Sequence, residues 1–309
     1  MEKVLVLGAT GGMGYAITNE LLEKGIEVSV FIRNKNRAIE LFGNKVNVFT
    51  GDVFDLEALR TAANGMDVIF HAINIPYEQW EEKLLVLNQN IWSATKESSA
   101  KLVVVDNIYA YGRKSEVQHT ESAVKQPHTK KGKLRLEVEK ELKEAGIPYI
   151  HAHFPDFYGP LAPNTILHMT LKSVAENRKS MYVGNPIIQR EYIYTPDGAK
   201  ALVELSLHEK AYGQSWNIAG TGTISGIEIL QIAQEQLGYS KTYSIIGKKM
   251  IGLLGIFNKR MKEVVEMLYL TEEPVLLDSS KYENEIGLLP RTPYQEGILN
   301  TIRTLQQQR

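Results

Sequence analysis

The sequence predicts an α/β protein: a doubly wound parallel sheet with a smaller, mostly helical C-terminal substrate lobe. Three observations predict it. Apolar runs of strand length alternate with helix-period segments through the first half, glycines cluster directly after the first run, and the alternation breaks after Pro160. Such alternation is the pattern of strands buried on both faces and joined by crossover helices.

The expected strands are residues 4–7, 27–32, 46–50, 68–72, 101–105 and 149–153, with helices beginning near Gly12, Asn36, Leu56, Tyr77 and Lys130. The first run, residues 1–10, is too short for a leader peptide and passes straight into glycines, so it reads as a strand. Right-handed crossovers then bring the strand ends to one ligand-binding edge. Beyond Pro160, helical segments at 166–177, 198–208 and 227–237 alternate with strand-like pieces at 189–194 and 215–219. We expect residues 1–160 to form the nucleotide-binding domain, with segments near 187–220 returning to it. Residues 161–186 and 221–309 form the substrate lobe in this reading. The apolar stretch around Met250, Leu253, Leu254, Ile256 and Phe257 reads as a helix packed on the core or a greasy pocket.

With 309 residues, 43% of them hydrophobic, the chain can bury a large core. The 35 basic and 36 acidic side chains nearly cancel, so no extended field for nucleic acid or a membrane surface is implied, and any phosphate site must be local. No run approaches the roughly 18 apolar residues of a membrane span. The absence of cysteine excludes disulfides, thiolate metal sites and a cysteine nucleophile. The expected setting is cytoplasmic. The expected partners are a small-molecule substrate and at most a second copy of the chain in a homodimer, with no nucleic acid and no membrane.

Gly8, Gly11 and Gly14 follow the first strand at G-x-x-G-x-x-G spacing, with Thr10, Gly12 and Met13 between them, and open a helical segment. Backbone free of side chains can approach a pyrophosphate, and a helix N-terminus offers unpaired N–H groups and partial positive charge. The second strand ends in Arg33, followed by Asn34, Lys35 and Arg37, with no carboxylate to accept from a ribose 2′-hydroxyl. Arg33 therefore points to NADP(H) through its 2′-phosphate, unless the stretch is a solvated basic loop.

After the third strand, Asp52 and Val53 are placed to meet the adenine. Asp52 could equally cap the next helix, a role for which Asp55 is better placed. Ala72, Ile73 and Asn74 close the fourth strand beside the ribose and pyrophosphate, and His71 reads as a packed histidine. His151 and His153 share one strand face, which reads as a satisfied core pair; no third metal ligand stands at readable spacing, and no metal is expected.

By this point the sequence resembles the extended and atypical short-chain dehydrogenase/reductases, the Rossmann-fold group that includes nucleotide-sugar epimerases and dehydratases. The likeness rests on the glycine motif, the stretch from Asp67 to Ala72, Tyr111-Gly112, and the stretch from Phe157 to Pro160. It continues through Arg190 to Asp197, Trp216 to Ala219, and Gly287 to Pro290. The resemblance implies that Phe154, Asp156 and Phe157 lie at the nicotinamide, with Asp156 standing where the family has asparagine.

The catalytic positions depart from the family. Asn107 occupies the usual Ser/Thr position four residues before Tyr111, and Thr129 stands where the tyrosine of Tyr-x-x-x-Lys is expected, leaving Lys133. A threonine hydroxyl is too weak an acid to replace a phenol near pKa ~10. Lys133 is then expected to anchor the nicotinamide ribose or, failing that, to act as the acid. Tyr109, Tyr111 and Tyr158 are candidate replacement acids, with Tyr111 the weaker because active relatives also carry it. The leading reading is an NADP(H)-dependent oxidoreductase acting on a small organic substrate. The alternatives are a non-catalytic NADP(H) sensor and a nucleotide-sugar epimerase or dehydratase.

Overall fold

The computed structural model describes residues 1–113, 118–257 and 259–307. Its first half alternates as the apolar pattern dictates: β1 (Lys3–Leu7), α1 (Gly12–Glu23), β2 (Glu27–Ile32), α2 (Lys35–Phe42), β3 (Asn47–Thr50), α3 (Leu56–Ala63), β4 (Val68–His71), α4 (Trp80–Ser98), β5 (Lys101–Asn107), α5 (Lys130–Glu144) and β6 (Tyr149–Phe154). A single 3₁₀ turn, Tyr77–Gln79, leads into α4, and another, Tyr109–Tyr111, follows β5.

With β10 (Gln214–Asn217), these strands form one seven-stranded sheet in the order β10-β6-β5-β4-β1-β2-β3. Every neighbouring pair in it is parallel. The chain reverses direction across the sheet between β1 and β4. That switch point opens a crevice at the carboxyl ends of the strands. Successive side chains of a strand point to opposite faces. Accordingly Val4 and Val6 enter one core cluster with α1, α2 and α7 (Thr195–Leu207), while Leu5 and Leu7 enter a second with α3, α4 and α5.

Local capping sets several helix starts. Asn34 accepts from the N–H groups of Asn36 and Arg37 at the head of α2, and Asp55 does the same for Glu57 and Ala58 at α3. Asp55 is thus the helix cap expected of it. Asp52 instead accepts from the Phe54 N–H at 3.1 Å, closing the turn before the helix.

The remaining elements are β7 (Asp156–Tyr158), α6 (His168–Ala175), β8 (Ser180–Val183), β9 (Arg190–Tyr194), β11 (Thr223–Ile224), α8 (Gly226–Leu237), β12 (Tyr243–Ile246), α9 (Lys248–Phe257), α10 (Lys259–Val265), α11 (Ser280–Glu285) and α12 (Tyr294–Gln307). Besides the helices, two small sheets form here, β11-β9-β7 and β12-β8. A third core cluster joins α6, α8 and α12 through Leu171, Leu230, Ile298 and Ile302. Ile251 of α9 is buried, whereas Met250 and Leu253 are exposed; the side chains of Leu254, Ile256 and Phe257 lie outside the described residues. No helix among the described residues is long and apolar enough to cross a membrane.

Candidate functional site

The glycine loop lies in the crevice, and its glycines serve different purposes. Gly8 has φ +87°, and a Cβ there would stand 2.8 Å from the Ala72 carbonyl oxygen. At Gly14 a Cβ would fall 2.1 Å from the Gly8 carbonyl oxygen, and at Gly12 2.7 Å from the Ala162 Cβ. These three are required by the protein's own packing. Gly11 is not: the nearest atom to its Cβ position is the Gly8 oxygen at 3.6 Å. Gly11 is also the N-cap of α1, and no side chain caps that helix. A Cβ at Gly11 would enter space that the protein leaves open beside the start of a helix, and that cradle suits a pyrophosphate. Of the flanking residues, Thr10 is half-buried, and the Met13 side chain is buried against Gly198.

Arg33 follows β2 with an exposed side chain, whereas Arg37 is engaged with Glu40 at 2.5 Å. Val53 is buried in the core, and its carbonyl accepts from Asn90. Ala72 and Ile73 are half-buried, with Ala72 N–H bonded to the Leu7 carbonyl at 2.9 Å. His71 is fully enclosed, its Nε2 at 3.2 Å from Asn88 Oδ1 and its Nδ1 accepting from the Ile73 N–H. Burial lowers its pKa to about 4, so the ring is neutral at physiological pH and serves as a packed hydrogen-bonding group.

Beyond β5 the candidate tyrosines separate. The Tyr109 hydroxyl meets the Tyr77 hydroxyl at 2.6 Å, and both rings pack edgewise or tilted on Trp80. Tyr111 points elsewhere: it is buried, donates to Asn217 Oδ1 at 2.7 Å, and carries the Lys125 ammonium over its ring. Tyr158 is buried in the third core cluster beside Tyr194, Tyr294 and Gly297. Neither can serve as the acid expected of it, because each ring is enclosed by other parts of the fold. Asn107 turns its amide back on the chain, accepting from the Tyr109 N–H at 2.9 Å, and so shapes the turn that presents Tyr109.

Helix α5 corrects the expected roles of Thr129 and Lys133. Thr129 is the N-cap, its hydroxyl accepting from the Gly132 N–H at 3.0 Å. Lys133 lies on the exposed side of the helix. The inward residues are Lys131, Gly132, Arg135, Val138, Glu139 and Leu142. At 3.6 residues per turn, Lys133 is rotated about 160° from the centre of that face. Lys131, only 2% exposed, is bound by Glu263 and Glu266 at 2.6 Å each, with its ammonium 5.3 Å from the Tyr77 ring centre. Arg135 lies over the Trp80 ring at 4.4 Å and reaches Asp106 Oδ1 at 3.4 Å and Asn74 Oδ1 at 3.5 Å. Gly132 lets this turn approach the crevice, since a Cβ there would fall 2.6 Å from the Tyr109 carbonyl oxygen.

After β6, Phe154 is fully buried and packs tilted on the half-buried Phe157, so its side chain belongs to the core rather than to the crevice. Asp156 pairs with the buried Arg190. Behind the crevice runs a buried polar network. Asp106 Oδ2 is 2.9 Å from His151 Nε2, and His153 Nε2 is 3.0 Å from the Lys125 ammonium, which also binds Glu139 at 2.5 Å. Burial alone would raise the Asp106 carboxyl, but Arg135 and His151 outweigh it and hold it below the usual carboxylate range. Asp106 stands close enough to both histidines to complete a three-ligand set, the partner that strand spacing did not reveal. The cations already in contact with this network are Arg135 and Lys125.

Sequence reasoning therefore missed Lys131, Arg135, Tyr77 and Asp106. One signal was present. Val138 and Leu142 mark the apolar face of the helix, and stepping back from Val138 by three and then by four reaches Arg135 and Lys131, whereas Lys133, five residues from Val138, lies off that face.

The fold and crevice define a doubly wound α/β protein with its crevice at the carboxyl edge of a parallel sheet. The chain belongs to the NmrA-like family, whose profile matches residues 1–288. Among solved structures, UDP-glucuronic acid 4-epimerase from Bacillus cereus in complex with NAD superposes with a TM-score of 0.80 at 19% identity, covering 99% of each chain. Among curated proteins, the chloroplast stem-loop binding protein of 41 kDa b from Arabidopsis thaliana is 25% identical over 236 residues, covering 71% of this chain and 59% of that protein. Cinnamoyl-CoA reductase 1 from Petunia hybrida is 31% identical over 113 residues, 33% of this chain and 34% of that protein. The matches thus span less than two thirds of the length of either curated relative.

Proposed function

We propose that the protein binds NADP(H) in the crevice and reduces the carbonyl group of a small organic substrate, with Tyr109 as proton donor. The observation that carries this reading is the Tyr77–Tyr109 hydroxyl pair, standing at the same sheet edge as the open cradle at Gly11. The exposed Arg33 and the lack of a carboxylate at the end of β2 support NADP(H) over NAD(H). Bound NADPH supplies a hydride.

The residues of the chain handle the proton. Burial pushes Tyr77 up to about 12 and raises Tyr109 as well, so both phenols keep their protons at neutral pH. Tyr109 donates a hydrogen bond to the substrate carbonyl and passes its proton as negative charge grows on that oxygen. Tyr77 then donates to the Tyr109 oxygen left behind. The cations nearby each face a carboxylate of the protein, Lys131 with Glu263 and Glu266, Arg190 with Asp156, and Arg135 with Asp106. That pairing favours an uncharged substrate over a nucleotide-sugar diphosphate.

Calorimetry with NADPH and NADH, followed by turnover on aldehyde, ketone and nucleotide-sugar panels, tests the proposal. Tighter NADPH binding with carbonyl turnover is expected. Failure to bind either dinucleotide overturns it. Turnover confined to nucleotide sugars would support the epimerase reading, and binding without any turnover the sensor reading.

A further inference from the structure

We infer that the surface running from β12 into α9 docks on a lipid bilayer with anionic headgroups, so that the protein rests peripherally on such a membrane.

The chain as a whole is nearly balanced in charge, which speaks against an extended field, but the balance hides a local excess. From residue 236 to residue 262 there are six basic residues and no Asp or Glu. Lys241, Lys248 and Lys249 are exposed, and none of them forms an ion pair among the described residues. The next acidic side chains along the chain, Glu263 and Glu266, are bound to Lys131 and offset its charge rather than that of these lysines.

Apolar side chains stand exposed between the lysines. Tyr243 and Ile245 lie two apart on one face of β12, and Ile245 is 49% exposed. Met250 and Leu253 lie three apart on one face of α9, and Leu253 is 64% exposed. Only Gly247 separates strand from helix, and its carbonyl accepts from the N–H groups of Met250 and Ile251 at 3.0 and 3.2 Å, so α9 starts directly where β12 stops. Ile251 is buried and fastens α9 to the protein, leaving Met250 and Leu253 outward.

The combination selects the partner. Lysines alone suit any polyanion, nucleic acid included, but exposed apolar side chains gain nothing from a phosphate backbone. At a bilayer they enter the boundary between headgroups and acyl chains, while the ammonium groups stay at the lipid phosphates. The ten residues of α9 rise only about 15 Å, half of a hydrocarbon core of ~30 Å, so the helix lies along the surface and does not cross it.

The test is sedimentation of the full chain with vesicles of phosphatidylcholine alone, and of phosphatidylcholine and phosphatidylglycerol in equal parts, at low and high salt. The wild type is expected to bind the anionic vesicles about ten-fold or more tightly than the neutral ones, and to lose most of that binding at high salt. Met250→Gln combined with Leu253→Gln, and separately Lys248→Gln combined with Lys249→Gln, should each weaken binding to the anionic vesicles about ten-fold or more. All four side chains are exposed, so the variants should melt with the wild type. If the Met250 and Leu253 pair fails to fold, Leu253→Gln alone decides, with a smaller loss expected. No binding to anionic vesicles at low salt, or equal binding to both kinds of vesicle, overturns the inference. Undiminished binding by the folded Leu253 variants also overturns it, and when joined to a loss in the lysine pair it assigns the surface to a soluble polyanion such as RNA instead.

Discussion

The Tyr77 and Tyr109 hydroxyls meet at 2.6 Å, joining the turn after β4 to the turn after β5. Each phenol fixes the other, and burial keeps both protonated. If Tyr109 gives up the proton, Tyr109→Phe should lower kcat on a carbonyl substrate by about 100-fold or more while leaving NADPH affinity unchanged. Tyr77→Phe should lower kcat less, because it removes only the bond that stabilises the Tyr109 oxygen. Wild-type kcat in Tyr109→Phe would remove Tyr109 from the mechanism.

The glycine loop predicts two opposite phenotypes. Gly11→Val places its side chain in open space, so it should fold normally yet lose binding of NADPH and NADH. Gly14→Ala forces a Cβ to 2.1 Å from a backbone oxygen and should destabilise the fold itself, by several times the ~1 kcal/mol typical of point substitutions. Thermal melts and calorimetry on both variants separate the effects. Normal NADPH binding by folded Gly11→Val would place the phosphates elsewhere.

Arg33 has an exposed side chain at the end of β2, where its guanidinium is available to a 2′-phosphate. Arg33→Ala is expected to weaken NADPH about ten-fold and leave NADH nearly unchanged, the usual scale of a charge-assisted hydrogen bond. Equal wild-type affinities for the two cofactors would contradict the assigned preference.

Acid should act through His71, whose pKa falls from about 6.5 in the unfolded chain to about 4 in the fold. Between these values the unfolded state binds a proton that the folded state does not, so stability from this group is lost as pH falls from 6.5 toward 4. The expected slope is about 1.4 kcal/mol per pH unit. His71→Gln can keep the bonds to Asn88 and Ile73 without titrating, and should flatten the pH dependence by that amount. His153, lowered to about 3 chiefly by burial, acts in the same direction, whereas Glu191, raised to about 7 by burial, acts in the opposite one. The comparison of wild type with His71→Gln isolates one group. Parallel stability curves from pH 7.5 to 5 would show that His71 does not titrate as described.

Much of the architecture was legible in the chain because it depends on local periodicity. The apolar runs at 4–7, 27–32 and 149–153 had little alternative to becoming buried strands, and the glycines directly after the first run marked the crevice. Asp55 was readable as a cap for the same local reason. Near the chemistry, local reading failed at Tyr111 and Lys133. Motif spacing placed both at the site, but the inward phase of α5 was decided by Val138 and Leu142 packing against the sheet, and that packing turned Lys131 and Arg135 inward instead. Tyr111 was drawn away by the side chain of Asn217 on β10, 106 residues distant in sequence. Sequence by itself determined the order of strands, helices and glycines, since those follow from near-neighbour preferences. Only the tertiary structure decided which polar side chains face the crevice, because buried charges settle where long-range partners such as Asp106, Glu263 and Glu266 can match them.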